Sequence, residues 1–451
     1  MKKYILIILC CLTSFPLWSY NVNMIVEHYS VDQGLPNNTV NCTLKDRDGF
    51  IWFGTWYGLC CFDGVKFKTF NKQEHDSDVP PRKIQRIVED KNGYIWVKTI
   101  DRKLYVFNKV TECFHAVYDD MKNYSENIQV IKLQNTAEGD VLLLTKDKNL
   151  LLTGVDEKGQ VTIKILFDSR DEINKHDYTL KHHVLCETEE YISWIGTDYK
   201  VSAVHKGAEL ASRPADFITS KINSGDKDSF TSFFEDGRKV WVGDRAGIFY
   251  SIDVRTGLVN RYVLSEIKGA ISNLLVTPAG YVYLSVAGQG TYEYDLAERR
   301  LQKINTEMND AMVTHAFIDQ YDKIWFHENE KALIYYDPLN HTAKRFPFTM
   351  FGKITTLYSE DAGERGLFFL SPAGEAWLFD REHAEMVYIN KLKQLSNDRA
   401  NQQFYHLMLD NDGVLWLSSA DEGVYCMNFP KKQFNLLSLS PQSAGRENYA
   451  T

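Results

Sequence analysis

The residues best suited to contact a ligand fall at corresponding points of a recurring segment. They are Trp56 and Tyr57, Asp101 and Arg102, Tyr199 and Lys200, Asp244 and Arg245, Glu328 and Asn329, and Asp421 and Glu422. Aromatic rings at such points can stack on sugar faces, and Arg102, Lys200 and Arg245 can pair with sulfate or uronate groups. The expected ligand-binding set is Trp56, Tyr57, Arg102, Tyr199, Lys200 and Arg245. Catalytic chemistry has less to work with. Glycoside hydrolysis needs two carboxylates roughly 5–10 Å apart across the bond, and no acidic motif in the sequence marks such a pair. An Asp box would place Asp two residues before the repeat's Gly, where Arg47, Lys91 and Asn411 stand instead. No Gly-x-Ser-x-Gly elbow or His-Glu-x-x-His motif occurs, and no Cys/His cluster has zinc spacing. No catalytic residue, metal or cofactor is expected.

The segment that carries these positions is clearest at Asp48-Gly49-Phe50-Ile51-Trp52-Phe53-Gly54-Thr55. It returns as Asn92-Gly93-Tyr94-Ile95-Trp96-Val97 and as Asp412-Gly413-Val414-Leu415-Trp416-Leu417. Weaker copies are anchored at Leu142, Trp194, Trp241, Tyr283, Trp325 and Phe369, and successive anchors lie 42 to 52 residues apart. A period of this length in a strand-rich chain points to propeller blades.

Each copy reads as four short strands. In the first, Val40 to Leu44 is followed by a turn at Asp46 to Gly49, where Asp can bond to the local backbone. Phe50 to Gly54, Leu59 to Phe62 and Val65 to Phe70 complete the set. The third strand repeatedly ends in Asp or Asn: Asp63, Asn108, Asp253, Asp295, Asp337, Asp380 and Asn428. That repetition argues for structural turns, and the Trp anchors are read as packing between stacked sheets. The fold class is therefore all-β, a β-propeller of four-stranded antiparallel blades. Glu382 to Leu395 is the best candidate for a short helix, although Val387 to Ile389 also suits an outer strand.

The N-terminus has the layout of a secretory signal: a basic Met1-Lys2-Lys3, an apolar run from Tyr4 to Trp18, and a small residue at Ser19. The run is too short for a span of about 20 residues and is broken by Pro16. Of eight cysteines, Cys10 and Cys11 would leave with the signal. The remaining Cys42, Cys60, Cys61, Cys113, Cys186 and Cys426 are irregularly spaced in apolar runs and read as buried thiols. The net charge is −9 with scattered basic residues, so no nucleic-acid partner is expected.

Gly49 to Leu59 resembles the two-component regulator propeller repeat, and Tyr29 to Asn38 is similar to the lead-in to that family's first blade. The resemblance covers Val26 to Phe434. It implies the periplasmic sensor region of a hybrid two-component system, in which two seven-bladed propellers precede an immunoglobulin-like domain, a membrane span, a histidine kinase and a response regulator. The implied signal is an oligosaccharide. This chain shows nine copies and no kinase segment, so kinase activity is not carried over. It is read as a truncated product or a stand-alone relative.

The expected domains follow: a signal peptide at 1–19, a first propeller of about seven repeats at 20–338, two repeats starting a second propeller at 339–438, and a linker at 439–451. Met24 to Tyr29 reads as an orphan outer strand that completes a distant blade, while Lys432 to Ser438 reads as the ninth copy's own. Expected partners are an oligosaccharide and the rest of a membrane-bound sensor kinase or a second propeller, with a homodimer also compatible. Two other functions fit the same fold, a protein-interaction propeller and a glycan-acting enzyme. The exported protein is expected in the periplasm with a mature N-terminus near Tyr20 or Asn21. N-terminal sequencing of the exported chain checks this, and a chain starting at Met1 contradicts it.

Overall fold

The computed structural model describes residues 25–428, apart from 71–79, 123–128, 147–148, 168–179, 189, 197–199, 208–216, 222–229, 305–312, 329–330, 352–357, 362–365, 372–373 and 392–403. These residues form nine four-stranded antiparallel sheets, as the repeat predicts. In the first blade the strands are Val40–Lys45, Ile51–Thr55, Gly58–Phe62 and Phe67–Phe70. The second strand of each blade is an almost unbroken apolar run because a sheet covers it on both sides. Helix is minor among the described residues: one α-turn, Tyr118–Met121, and two 3-10 turns. Residues 385–391, inside the candidate helix, form an outer strand. The strand wins because it pairs with Glu375–Asp380 through its whole length.

The ninth sheet takes its outer strand from the beginning of the chain. Ile25–Tyr29 pairs antiparallel with Val424–Asn428, in the register Val26 to Met427 and His28 to Tyr425. The His28 ring stacks on Tyr425 at 4.5 Å, and Tyr29 packs against Phe62 and Phe67 of blade one and Trp416 of blade nine. The rival strand, Lys432 to Ser438, lies outside the described residues.

Nine apolar clusters fill the junctions between consecutive sheets, one per junction. Trp325 of blade seven packs on Phe369 and Phe379 of blade eight. Phe368 and Leu370 of blade eight meet Leu415 and Tyr425 of blade nine. Phe53 and Cys60 of blade one meet Trp416 and Cys426 of blade nine. The expected boundary at 338/339 therefore corresponds to no break in packing. One ring of nine blades replaces seven plus two, because the last blade is completed by the first strand and rests on the first blade.

Within a blade, an aspartate at the end of the first strand fixes the turn and the anchor together. Asp90 Oδ1 accepts the backbone N–H groups of Asn92 and Tyr94, and the Trp96 indole N–H donates to Asp90 Oδ2 at 2.9 Å. The same clamp joins Asp46 to Trp52 at 2.8 Å, Asp236 to Trp241 at 2.7 Å, Asp319 to Trp325 at 3.2 Å and Asp410 to Trp416 at 3.2 Å. Threonine stands in place of the acid in three blades: Thr136 precedes Leu142, Thr188 precedes Trp194 and Thr277 precedes Tyr283, and each hydroxyl accepts a turn N–H. Among the described residues, the later Asp positions and Asn108 are turns as expected, while the chain after Asn428 lies outside them. Asp63, Asn108, Asp253 and Asp295 each accept two backbone N–H groups within three residues.

Ion pairs tie neighbouring blades on the face of these turns. Lys109 of blade two donates to Asp46 and Asp48 of blade one and to Glu89 of its own blade, at 3.0, 2.7 and 2.8 Å. Lys206 joins Glu138 to Glu187 at the corresponding place between blades three and four. Arg381 joins Asp319 to Asp361 between blades seven and eight. At the closing junction Lys45 of blade one binds Asp410 and Asp412 of blade nine. Burial alone would lower the Lys109 pKa, but its three carboxylates hold it above the ordinary lysine value. Cys42, Cys60, Cys113 and Cys426 are buried free thiols and Cys61 is half-buried. Burial pushes Cys42, Cys60, Cys61 and Cys426 up to about 12. The Cys186 side chain lies outside the described set.

Two stability tests follow from these contacts. Asp90→Ala strips two turn bonds and leaves the buried Trp96 N–H unpaired, a loss of about 2–4 kcal/mol, whereas Asp90→Asn keeps an acceptor and loses less. A urea midpoint unchanged in Asp90→Ala would contradict the clamp. Lys109→Met leaves a buried carboxylate, Asp46, without its cation and costs about 2–4 kcal/mol at neutral pH. Because Lys109 is raised in the fold, its contribution is full below the unfolded lysine value and is lost only as pH rises through the folded one. In the variant that loss at high pH is absent, and melting curves of both proteins through the alkaline range read the difference.

Candidate ligand-binding site

The turn between the second and third strands of each blade opens on the same face as the link to the next blade. Backbone bonds stitch the two together around the ring. Trp56 N–H donates to Thr39 O, Lys83 to Trp56, Ile100 to Lys83, Val130 to Arg102, Lys146 to Gln129 and Gly423 to Asn38. A rigid rim results, and the side chains it carries are free to differ.

Trp56 and Tyr57 lie on this rim, 41% and 64% exposed. The Lys83 ammonium sits 5.2 Å from the centre of the Trp56 ring, within range of a cation–π contact. Arg102 is exposed on the neighbouring turn. Its φ of 68°, like the 49° of Lys83, lies in the left-handed region, which a non-glycine residue adopts at some cost. The Asp101 carboxylate beside it is engaged by the Thr99 hydroxyl at 2.5 Å and by Lys103 at 3.4 Å. Trp56, Tyr57 and Arg102 therefore belong to adjacent blades.

The other expected residues are separated from that group. Arg245 is exposed on blade five, four junctions round the ring from Trp56. Lys200 opens the third strand of blade four, Lys200–His205, while Tyr199 and Asn329 lie outside the described residues. Three of the acidic loop residues are bound within the fold. Asp244 is buried and accepts Ala246 and Ile248 N–H. Glu328 is buried against Arg345, and Glu422 accepts from the Tyr425 hydroxyl at 2.8 Å.

Below Arg102 lies a group that the sequence reading did not single out. A bulge in the first strand of blade two places Gln85 and Arg86 opposite Lys98, with Arg86 and Lys98 as direct cross-strand partners. Lys98 is only 7% exposed, and its ammonium donates to Gln85 Oε1 at 2.6 Å. Burial, then Arg102 and Arg86, pull its pKa down to about 8. Arg86 is exposed and also acts electrostatically on Cys42 of blade one and His406 of blade nine. One signal could have found Lys98. Two residues after the anchor, the other copies have Gly54, Gly196, Gly243, Ser285, Ser371 and Ser418, with Leu144 and His327 as the remaining exceptions.

One further cluster has metal-ligand chemistry on paper: Asp46, Asp48 and Glu89 converge closely enough to hold a cation. Lys109 already occupies that position with all three, so the group reads as an ionic lock. Among the described residues, no helix is long and apolar enough to cross a membrane.

Comparison with known proteins adds the following. Residues 34–57 match the family described as two component regulator propeller. No curated protein matches the chain in sequence. Among solved structures, it is similar to the extracellular domain of a one component system, BT4673, from B. thetaiotaomicron, at 15% identity over 88% of this chain and 65% of that one, with a TM-score of 0.38. It is similar to the extracellular domain of a hybrid two component system, BT3049, from the same organism, at 14% identity over 92% of this chain and 61% of that one, TM-score 0.34. The Dos1 propeller gives 12% identity over 89% of this chain and 93% of that one, TM-score 0.47. The chain spans less than two thirds of the length of the two extracellular domains, and at these identities and TM-scores the likeness carries no functional argument. The matched residues, 34–57, lie at the start of blade one, and the four-stranded frame they belong to recurs in nine sheets.

Proposed function

We propose that this chain is the ligand-sensing propeller region of a two-component regulator and binds an oligosaccharide on the rim of blades one and two. The observation that carries the reading is the exposed Trp56–Tyr57 pair, flanked by Lys83 and Arg102 on a rim fixed by backbone bonds. Exposed rings on a rigid base suit stacking on the apolar face of a sugar, and the adjacent cations suit its hydroxyl or acidic substituents. The repeat family supports a sensing role over a catalytic one. In this reading the protein is exported to the periplasm and acts with the rest of a membrane-bound sensor kinase or a second propeller. Arg245, on blade five, is reached only by a ligand that extends across the ring from blade one.

Titration of the purified chain with a panel of glycan oligosaccharides tests the proposal. The best ligand is expected to lose about tenfold or more in affinity on Trp56→Ala, with Tyr57→Ala and Arg102→Ala each weakening it further. Arg245→Ala is expected to matter only for the longer oligosaccharides. No binding across the panel, or full affinity in a folded Trp56/Tyr57/Arg102 triple alanine variant, would overturn the reading.

A further inference from the structure

Lys98 occupies a place where the fold prefers almost no side chain. A Cβ added to Gly54, its counterpart in blade one, would meet Cys42 Sγ and Ile84 Cγ2 at 2.5 Å. One added to Gly243 in blade five would meet Ser232 Oγ at 2.5 Å. Blade two nonetheless carries a lysine there, buried, with arginine directly across the strand pair. Like charges directly opposite one another are destabilising, and a buried ammonium normally has a carboxylate beside it. Here, among the described residues, its ammonium donates to the neutral Gln85 amide. Among the described residues, no carboxylate hydrogen-bonds or pairs with Lys98, Arg86 or Arg102, and the nearest in sequence, Asp101, is held by Thr99 and Lys103.

We propose that Lys98, Arg86 and Arg102 form an anion site at the channel end of blade two, taking a carboxylate or sulfate group. This deepens the proposed sensing function by naming the ligand class as an acidic sugar, and rests on it to that extent. A bound anion supplies the missing counter-charge. The two guanidinium groups offer planar donors for a carboxylate or sulfate, and the ammonium a point charge between them. The bulge that brings Gln85 and Arg86 to one side of Lys98 is a device for re-aiming side chains. Its equivalents elsewhere serve the ring: Asn41 donates to Ile84 O of the next blade, and Thr231 to Ile271 O. In blade two the corresponding Gln85 turns to Lys98 instead.

The test compares the full chain in sodium chloride, sulfate, phosphate and glucuronate at matched ionic strength, then titrates a sulfated disaccharide and its desulfated form. Wild-type protein is expected to melt higher in sulfate and glucuronate than in chloride and to prefer the sulfated disaccharide. Lys98→Ser copies the residue at 285 and 418, and Arg86→Gln keeps a polar chain. Each should weaken anion binding about tenfold or more. Neither should lower the melting temperature in chloride, since each removes one half of a like-charge pair. Equal melting in all four salts, or an anion response retained in both variants, overturns the proposal. Binding of sulfate and phosphate without the sugar acids supports the anion site and removes the sugar as its source. Neutral oligosaccharides that bind the same in wild type and Lys98→Ser, with no anion response, leave the sensing function standing and remove this site.

Discussion

The bond from a buried indole to an aspartate at the end of the first strand is the constraint on which the ring depends. One carboxylate does two jobs in five blades. Its first oxygen closes the turn by accepting backbone N–H groups, and its second holds the tryptophan that fills the gap to a neighbouring sheet. Turn geometry and inter-blade packing are thereby coupled through a single side chain. Three other blades close the turn with a hydroxyl, at Thr136, Thr188 and Thr277. Two of these, anchored by Leu142 and Tyr283, have no indole N–H for a second acceptor to hold. A buried acid with an unused oxygen would cost more than a hydroxyl does.

The fold was legible to the extent that this pairing repeats. Nine anchors could be counted from residue types alone, and each proved to be the second strand of a sheet. Ring closure was half legible: Met24 to Tyr29 could be read as an orphan outer strand, and Ile25–Tyr29 does complete blade nine, but its partner was not readable because the strand has no repeat signature. Met24 to Tyr29 and Lys432 to Ser438 are both short stretches that mix apolar and polar residues. What selects the first is tertiary. His28 stacks on Tyr425, and Tyr29 wedges among Phe62, Phe67 and Trp416 at the junction of blades nine and one. The seven-plus-two division came from the family's usual ring size, and no residue in the sequence argued for a break after 338.

The candidate site was half legible for a related reason. Loop positions stand out as variable against an invariant frame, and Trp56, Tyr57 and Arg102, exposed on the rim of blades one and two, were singled out that way. The same logic overreached with Asp244, Glu328 and Glu422, whose carboxylates serve their own turns and strands. It also grouped residues by repeat position without an order around the ring, so Arg245 was placed with residues four blades away. Lys98 was missed because it lies inside a strand, where variation was taken for packing.

That omission shows where function can sit in a repeat fold. Loop variation is cheap, so it signals freedom as often as purpose. A lysine inside the packed second strand is different, since the copies at 54 and 243 have no room for a Cβ. The clamp keeps the blade standing around such a residue. Asp90 and Trp96 hold one end of the strand that carries Lys98, while the opposite end of that strand carries opposed cations. Stability is concentrated at the turn end of the blade, where Lys109, Asp46 and Glu89 also lie. The channel end is thereby left able to hold a local conflict, which is the distribution expected when a rigid scaffold supports a binding site.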